Sequence, residues 1–297
     1  MRSAFVIAHT GRASIVQQTR TAVLRLVDAG FEVRMERDEA EDCGLAERVF
    51  VTSGPDAAAE AEIAIVLGGD GTFLRAAEVS RPAQVPLLGV NLGHVGFLAE
   101  AEPQDLDRTI AAIVSRDYDV EERLTLDVEV HHHGEIIDRQ WALNEASVEK
   151  SSRERMLELA VSVDNTPLLR FGCDGVLCAT PTGSTAYAFS VGGPVVWPNV
   201  EALLVVPNAA HALFQRPLVV APGCLVSMHL LRRDHPGVLS CDGRRSSPLA
   251  PGSVVQVRRA ELPMRIVRLR GSGFAPRLVE KFQLPVKGFR DGPRPLY

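Results

Sequence analysis

The first third of the chain alternates two hydrophobic rhythms. AFVIAH, AEIAIVL and VPLLGV are short, uninterrupted apolar runs with the length and β-branched content of strands buried on both faces. After the first, ASIVQQTRTAVLRLVDAG carries Ile15, Val16, Val23, Leu24 and Val27 at helical spacing and closes on Gly30 as a C-cap. FEVRME reads as a further strand and TFLRAAEVS as a short helix. PQDLDRTIAAIVSRDY reads as a helix that opens on Pro103, with Asp105 and Asp107 in its first turn. Residues 37–60 are acidic and Ala-rich and show no clear period. Strands alternating with helices predict a parallel, doubly wound, Rossmann-like sheet.

Near residue 120 the period shortens to two. LTLDVEVHHHGEIIDRQWALNEASVEK alternates apolar and polar positions about a turn at His133-Gly134, and LELAVSVDNTPLLRF does so about Asp164-Asn165. GCLVSMHLL, GVLSCDGRR, GSVVQVRRA and MRIVRLR are further strand-like stretches, with Gly, Pro and Asn between them. The predicted fold is an α/β N-terminal Rossmann-like domain plus an all-β, sandwich-like C-terminal domain. The boundary falls between 116 and 121 with no Gly/Ser linker, giving an α/β domain over 1–118 and a β-rich domain over 119–271. The tail, 272–297, has mixed character and is expected to return to the first domain.

Length and composition fit this division. A chain of 297 residues exceeds most single cores, and 46% hydrophobic with 23% charged residues is ordinary for a globular protein. The net charge of −5, with no Lys/Arg run, removes the electrostatic footprint of a nucleic-acid binder. An anionic ligand must then be held by local backbone N–H groups and a few arginines. No apolar run approaches the roughly 18 residues of a membrane span, and the apolar N-terminal stretch is too short for a signal peptide. No nucleic-acid or membrane partner is therefore expected. Cys43, Cys173, Cys178, Cys224 and Cys241 form no C-x-x-C pair; they read as buried thiols in a reducing cytoplasm rather than a disulfide framework or zinc site. His131, His132 and His133 would alternate faces on a strand and cannot converge on one ion, so they read as an exposed hairpin.

GGDGT, residues 68–72, follows AEIAIVL and leads into TFLRAAEVS. That places it at the carboxyl edge of the predicted sheet, where open α/β sheets bind ligands. Gly68, Gly69 and Gly71 let backbone N–H groups approach an anion, and the following helix offers its positive end. Neither the Walker A spacing nor G-x-G-x-x-G is present. Asp70, in the middle, has two readings. One is a helix N-cap, a role for which Thr72 competes. The other is a carboxylate aimed at a reacting hydroxyl, accepting its proton while the glycines hold phosphate. With no lysine in the loop, Mg²⁺ is expected to arrive with the phosphates rather than in a protein cage. A second loop, GVNLGHVGFLAE, follows the next strand at the same edge. Gly93 and Gly96 permit close approach there and Phe97 offers an aromatic wall, although a plain strand–helix turn looks the same.

WALNEASVEK sets Asn144 and Glu145 together at a strand end. Asn can read a base edge and a carboxylate can accept both hydroxyls of a ribose; an ordinary polar strand end is the alternative. FGCDGVLCATPTGSTAYAFSVGGPVVWP is the most unusual stretch, rich in glycine and in hydroxyls from Thr180 to Ser190, with Tyr187 among them. That density suggests close backbone contact with a ligand, or a tight crossover in a β domain.

Taken in order, GGDGT (68–72), GVNLGHVGFL (89–98), NE (144–145), DG (174–175), TPTGSTAY (180–187) and CDG (241–243) together resemble the NAD kinase family. GGDGT is shared with lipid kinases; NE with TPTGSTAY is the specific part. The resemblance implies an α/β domain and a β-sandwich-like domain, with the tail returning to the first. It implies phosphoryl transfer from ATP, or polyphosphate in some members, to the 2′-hydroxyl of the adenosine ribose of NAD, giving NADP, with Mg²⁺ or another divalent cation. Asp70 then matches the family's proposed base, and Gly71 and Arg75 match positions near the NAD phosphates. Asn144 and Glu145 match binders of the adenosine part. Asp174, Thr185, Ala186, Tyr187 and Ser190 match dinucleotide contacts, some reaching a neighbouring subunit, and Arg155 sits where a basic ligand residue is common. Members are commonly dimers or tetramers, so the resemblance implies a cytoplasmic homo-oligomer. After the late DG many members carry Gln; here Arg244 stands, which donates but cannot accept hydrogen bonds, so the glutamine's binding role does not carry over unchanged. His211 reads as structural. Two other readings share part of the pattern. A diacylglycerol-type lipid kinase would leave NE and TPTGSTAY unexplained, and a non-catalytic dinucleotide sensor is opposed by the intact Asp70.

Overall fold

A computed structural model of the chain describes residues 1–92, 96–99, 101, 105–152, 155–231, 235–270 and 273–286. The chain divides into two units. One holds Met1–Glu121 with the residues from Arg265 onward, and the other holds Glu122–Met264.

In chain order the first unit runs β1 (Arg2–Ala8), α1 (Ala13–Asp28), β2 (Phe31–Glu36), α2 (Arg37–Asp42), β3 (Phe50–Thr52), β4 (Ile63–Leu67), α3 (Asp70–Ser80), β5 (Leu87–Val90), α4 (Leu106–Ser115) and β6 (Tyr118–Arg123). β1, β4 and β5 are buried along almost their whole length, as strands covered on both faces must be. α1 turns Ile15, Thr19, Ala22, Val23 and Leu26 inward, and Gly30 leaves it with a φ of +85°. Residues 37–60, patternless in sequence, hold α2 and β3, both too short to display a period. α4 begins at Leu106 rather than Pro103, which lies outside the described residues, and Arg116 at φ +58° ends it, so that Tyr118 starts a strand.

β1 pairs in parallel with β2 on one side and β4 on the other, and β4 pairs in parallel with β5. The connection from β1 therefore runs one way across the sheet and that from β4 the opposite way. This reversal opens a crevice at the carboxyl ends of β1 and β4, the usual ligand position in such sheets. The two ends are fastened there: His9 N–H donates to Leu67 O at 3.0 Å and Gly68 N–H to Val90 O at 3.1 Å.

The second unit contains β7 (Leu126–His132), β8 (Glu135–Ala142), β9 (Glu145–Lys150), β10 (Leu157–Val163), β11 (Thr166–Cys173), β12 (Gly175–Ala179), a 3-10 turn (Thr182–Thr185), α5 (Tyr187–Ser190), β13 (Leu203–Asn208), β14 (Leu218–Val220), β15 (Val226–Leu230), β16 (Gly237–Cys241), β17 (Arg245–Leu249) and β18 (Val254–Arg259). They form two six-stranded sheets, ordered β11-β10-β15-β18-β7-β8 and β14-β13-β12-β9-β16-β17. One apolar core draws Val128 and Leu159 from the first sheet and Val148 and Val176 from the second, which makes the unit a sandwich. The turns read at His133-Gly134 and Asp164-Asn165 are two-residue hairpins with positive φ at all four positions, as their twist requires.

Beyond β18 come β19 (Met264–Leu269) and α6 (Phe274–Phe282). β19 lies between β5 and β6, completing the first unit's sheet in the order β3-β2-β1-β4-β5-β19-β6. The expectation that kept MRIVRLR with the second domain is corrected here: return to the first sheet begins with this strand. Its alternating pattern announces a strand but does not say which sheet it joins.

Candidate active site

The GGDGT loop sits at the carboxyl end of β4, where the strand order reverses. Gly69 is the N-cap of α3, no side chain caps the helix, and Asp70 is the first helical residue. The N-cap reading of Asp70 is thereby corrected, and Thr72 does not cap either. The Asp70 carboxylate instead accepts the backbone N–H groups of Phe97 at Oδ2 and Leu98 at Oδ1, both at 3.2 Å. Gly96 is demanded by this arrangement, because a Cβ there would lie 2.4 Å from Asp70 Oδ1. The second glycine loop is thus the seat of the carboxylate rather than a plain connection; Gly93 lies outside the described residues.

The three glycines of GGDGT differ. A Cβ on Gly68 would meet Thr72 Oγ1 at 2.7 Å, so its own neighbours need it small. Gly69 and Gly71 have no atom within 4 Å of an added Cβ, and neither has positive φ. Gly71 even stands inside the first turn of α3, where glycine costs about 1 kcal/mol relative to alanine. Packing gives no reason for glycine at these two positions; they leave open space in front of a helix N-terminus.

Further along α3, Arg75 Nη2 donates to Ala8 O at 2.9 Å and pairs with Glu39 of α2. Glu39 is buried and accepts the Ala8 N–H at 2.8 Å. Burial raises its pKa even so, against the opposing effects of that bond and of the Arg75 charge. The buried Arg75 Nε makes no hydrogen bond. Arg75, Glu39, Glu36, His9, Thr10 and Gly11 line a cavity of about 550 Å³ at the carboxyl ends of β1 and β2.

In the second unit Asn144 stands between β8 and β9 and Glu145 opens β9, both buried. The Asp242 carboxylate organises this corner. It accepts the backbone N–H groups of Leu143 at 3.0 Å, Asn144 at 2.7 Å and Glu145 at 3.3 Å, and Arg245 Nη2 at 2.8 Å. Its own N–H donates to Glu145 O at 2.9 Å. Thr180 closes the other side: its N–H bonds Asn144 O at 2.8 Å and its hydroxyl donates to Leu143 O at 2.6 Å. Asp242 and Gly243 both have positive φ, the sequence signal for this turn.

Glu145 is pushed up to about 8 by burial first and then by the nearby Asp242 charge, while the Tyr187 N–H bond works the other way. Its Oε2 is buried without a partner. The Tyr187 ring packs against Leu177, Ala179, Leu204 and Val206. Its hydroxyl bonds Glu149 and accepts Asn208 Nδ2 at 3.2 Å, and burial with the Glu149 bond pushes it up to about 12. Asn208 O accepts the Asp174 N–H at 3.0 Å, and Asp174 pairs with Lys150 at 2.6 Å. Glu145, Tyr187 and Asp174 are therefore joined through one polar cluster. Thr185 and Ala186 are half-buried at its edge, and Ser190 is exposed at the end of α5.

Arg155 and Arg244 are exposed, Arg155 with Nη1 2.9 Å from His235 Nε2 and Arg244 just past the Asp242-Gly243 turn. His211 serves the fold through its N–H, which bonds Gly172 O at 2.8 Å. The glycine density around TPTGSTAY has a structural reason at three positions. A Cβ on Gly183 would lie 2.0 Å from Asn144 O, on Gly175 2.6 Å from Val148 O, and on Gly193 2.7 Å from Ala188 O. The close approach read as a sign of ligand is, at these positions, backbone against backbone. Sequence reading assigned no role to Glu39, Thr180 or Arg245, and it quoted Asp242 within CDG without one.

Comparison with known proteins gives the family. Residues 5–118 match the family model for the ATP-NAD kinase N-terminal domain, and residues 143–269 match that for the ATP-NAD kinase C-terminal domain. NAD kinase 2 of Streptomyces coelicolor is 51% identical over 295 residues, covering 99% of this chain and 98% of that protein. An NAD kinase from Archaeoglobus fulgidus, solved in complex with ATP, superposes with a TM-score of 0.72 at 25% identity, over 96% of this chain and 100% of that one. Yeast NADH kinase, solved with NADH, shares the fold with a TM-score of 0.88 at 21% identity, over 99% of this chain and 89% of that one. These are nucleotide-directed phosphotransferase matches spanning both units. The chain belongs to the NAD kinase family.

Gly96→Ala should lower stability by about 1–3 kcal/mol, since either the loop or the Asp70 carboxylate must move. Gly71→Ala should raise it by about 0.5–1 kcal/mol. Urea denaturation distinguishes them; equal midpoints for the two variants would contradict the packing described. The folded-state pKa of Glu145 is raised from 4.5 to about 8, so the folded protein retains a proton that the unfolded chain releases between those values. Stability relative to Glu145→Gln should therefore be greatest below pH 4.5 and decline toward pH 8, by at most about 1.4 kcal/mol per pH unit. Parallel stability curves for the two proteins would contradict the raised value.

Proposed function

We propose that this chain transfers the terminal phosphoryl group of ATP to the 2′-hydroxyl of the adenosine ribose of NAD, giving NADP and ADP. The observation that carries the reading is Asp70, a carboxylate set at the head of α3 by two backbone N–H groups, beside glycines that packing does not require. The 2′-oxygen attacks the terminal phosphorus, the new O–P bond forms, the bond to the ADP oxygen breaks, and the hydroxyl proton passes to Asp70. A carboxylate offers about four acceptor positions, and Asp70 uses two on the loop, so capacity for the hydroxyl remains. Gly68, Gly69, Gly71 and Thr72 bring backbone N–H groups and the α3 N-terminus to phosphate. The donor nucleotide enters by the 550 Å³ cavity that Arg75 lines, and Arg75 lies near the NAD phosphates. Polyphosphate offers the same terminal phosphoryl chemistry.

Among the described residues no group of three or more His, Cys, Asp and Glu side chains is placed to hold a metal ion. Mg²⁺ would arrive with the substrate phosphates, keeping several of its waters, and Asp70 is the carboxylate of the loop beside them. Bound in that way, Mg²⁺ supplies charge neutralisation on the phosphates. Asn144, Glu145, Asp174 and Tyr187 hold the adenosine part, with Thr185, Ala186, Ser190, Arg155 and Arg244 as further contacts. Glu145 Oε2, buried and unpartnered, is the natural acceptor for a ribose hydroxyl. The setting is the cytoplasm, which suits five free cysteines. No helix among the described residues is long and apolar enough to cross a membrane. The assembly is a homo-oligomer, dimer or tetramer, and exposed Trp197, Leu213, Phe214 and Val219 of the second unit are surface for it to cover.

Wild-type protein with NAD, ATP and Mg²⁺ should yield NADP, read by a dehydrogenase specific for it. Asp70→Asn keeps the side chain's size but cannot take the proton. Its turnover should fall about 10²–10⁴-fold with NAD affinity within roughly tenfold. An Asn variant that turns over normally would remove Asp70 from the chemistry. NAD binding should also draw the proton from Glu145, whose ionised form is the stronger acceptor for a hydroxyl. Calorimetry at pH 7 in buffers of differing ionisation enthalpy should show proton release that Glu145→Gln abolishes. Binding with no proton release would place the ribose elsewhere.

A further inference from the structure

We propose that α6 is a latch that positions Asp70, with Arg277 as its positioning residue; the inference rests on the catalytic reading of Asp70. α6 lies about 180 positions along the chain from the loop it touches, yet both belong to the first unit. Phe97 lies near both Phe274 and Phe282, with ring centroids at 6.0 Å and 5.5 Å. Arg277 Nη1 donates to Phe97 O at 3.2 Å and to Ala99 O at 2.6 Å, bracketing Leu98.

The covalent geometry gives these contacts their meaning. Phe97 C=O and Leu98 N–H belong to one planar peptide unit. Its oxygen receives the Arg277 guanidinium and its N–H donates to Asp70 Oδ1. A cation and the catalytic carboxylate thus hold opposite ends of one rigid plane. The guanidinium polarises that peptide and strengthens its N–H as a donor. The neighbouring N–H on Asp70 belongs to Phe97, whose ring the two α6 phenylalanines approach. Both groups that seat the Asp70 carboxylate are therefore fixed from behind by α6.

A merely structural α6 would stabilise the protein without selective effect on the loop. Hydrogen exchange on the full-length protein separates the two cases. In Arg277→Ala the Phe97 and Leu98 amides should lose at least about tenfold protection while β1 and β4 amides keep theirs. Turnover should fall about 10- to 100-fold with the KM for NAD within roughly threefold. Arg277→Lys, whose ammonium can reach the same carbonyls, should recover most of both. Arg277→Gln keeps one donor and serves if the alanine variant does not fold. Unchanged exchange at Phe97 and Leu98 overturns the latch, as does loosened exchange with full turnover. Exchange needs no activity, so a wild-type protein that makes no NADP would defeat the functional reading while Arg277's hold on the loop is still decided.

Discussion

A carboxylate that collects backbone N–H groups from a neighbouring connection is the interaction on which the local order around Asp242 in one unit and around Asp70 in the other depends. Asp242 is the fuller case. Buried at the β16–β17 turn, it receives three successive N–H groups of the β8–β9 connection and an arginine. Each of those N–H groups would otherwise be an unsatisfied buried donor, at about 1–3 kcal/mol apiece. Burial still raises the pKa of Asp242, so the bonds offset rather than erase the cost of a sheltered charge. That residual negative field is one of the forces raising Glu145, so the group holding the corner also sets its acid–base character. Asp70 repeats the device in the first unit with two N–H groups at 3.2 Å, on a more open side chain.

This economy explains why glycines recur beside the acids. Gly96 and Gly183 exist because a carboxylate or a carbonyl already occupies the place of a Cβ, at 2.4 Å and 2.0 Å. Gly69 and Gly71 have the opposite surroundings, empty space. A glycine pattern in sequence cannot tell these cases apart, since both need the absence of a side chain. TPTGSTAY read as close backbone contact with a ligand or as a tight crossover, and at Gly183 the close partner is the chain's own Asn144 carbonyl.

Much of the fold was legible because long elements carry their period. α1 shows its buried stripe, β4 its apolar run, and both Asx or His-Gly turns their positive φ. What stayed hidden was either too short or too distant. α2 and β3 are six and three residues long, yet α2 supplies Glu39, the partner of Arg75. β19 looks like any strand of the second unit and pairs in the first. Long-range contacts such as Asp242 with the β8–β9 connection leave no local trace beyond a DG turn. The motifs pointed to the GGDGT loop; that Asp70 is seated by Phe97 and Leu98 rather than capping its helix needed the structure.

A net charge of −5 leaves this chain no general attraction for nucleotides, so recognition must come from oriented dipoles, buried acids and single arginines. Such a site distinguishes one hydroxyl from another by position rather than by charge. Regiochemistry is accordingly the most direct measurement. A ³¹P NMR spectrum of the product formed from NAD, ATP and Mg²⁺ should contain one new phosphomonoester, coupled to the 2′ proton of the adenosine ribose. Phosphate on any other hydroxyl, or release of phosphate from ATP without transfer, would contradict the roles proposed for Asp70 and for the Asn144–Glu145 corner together.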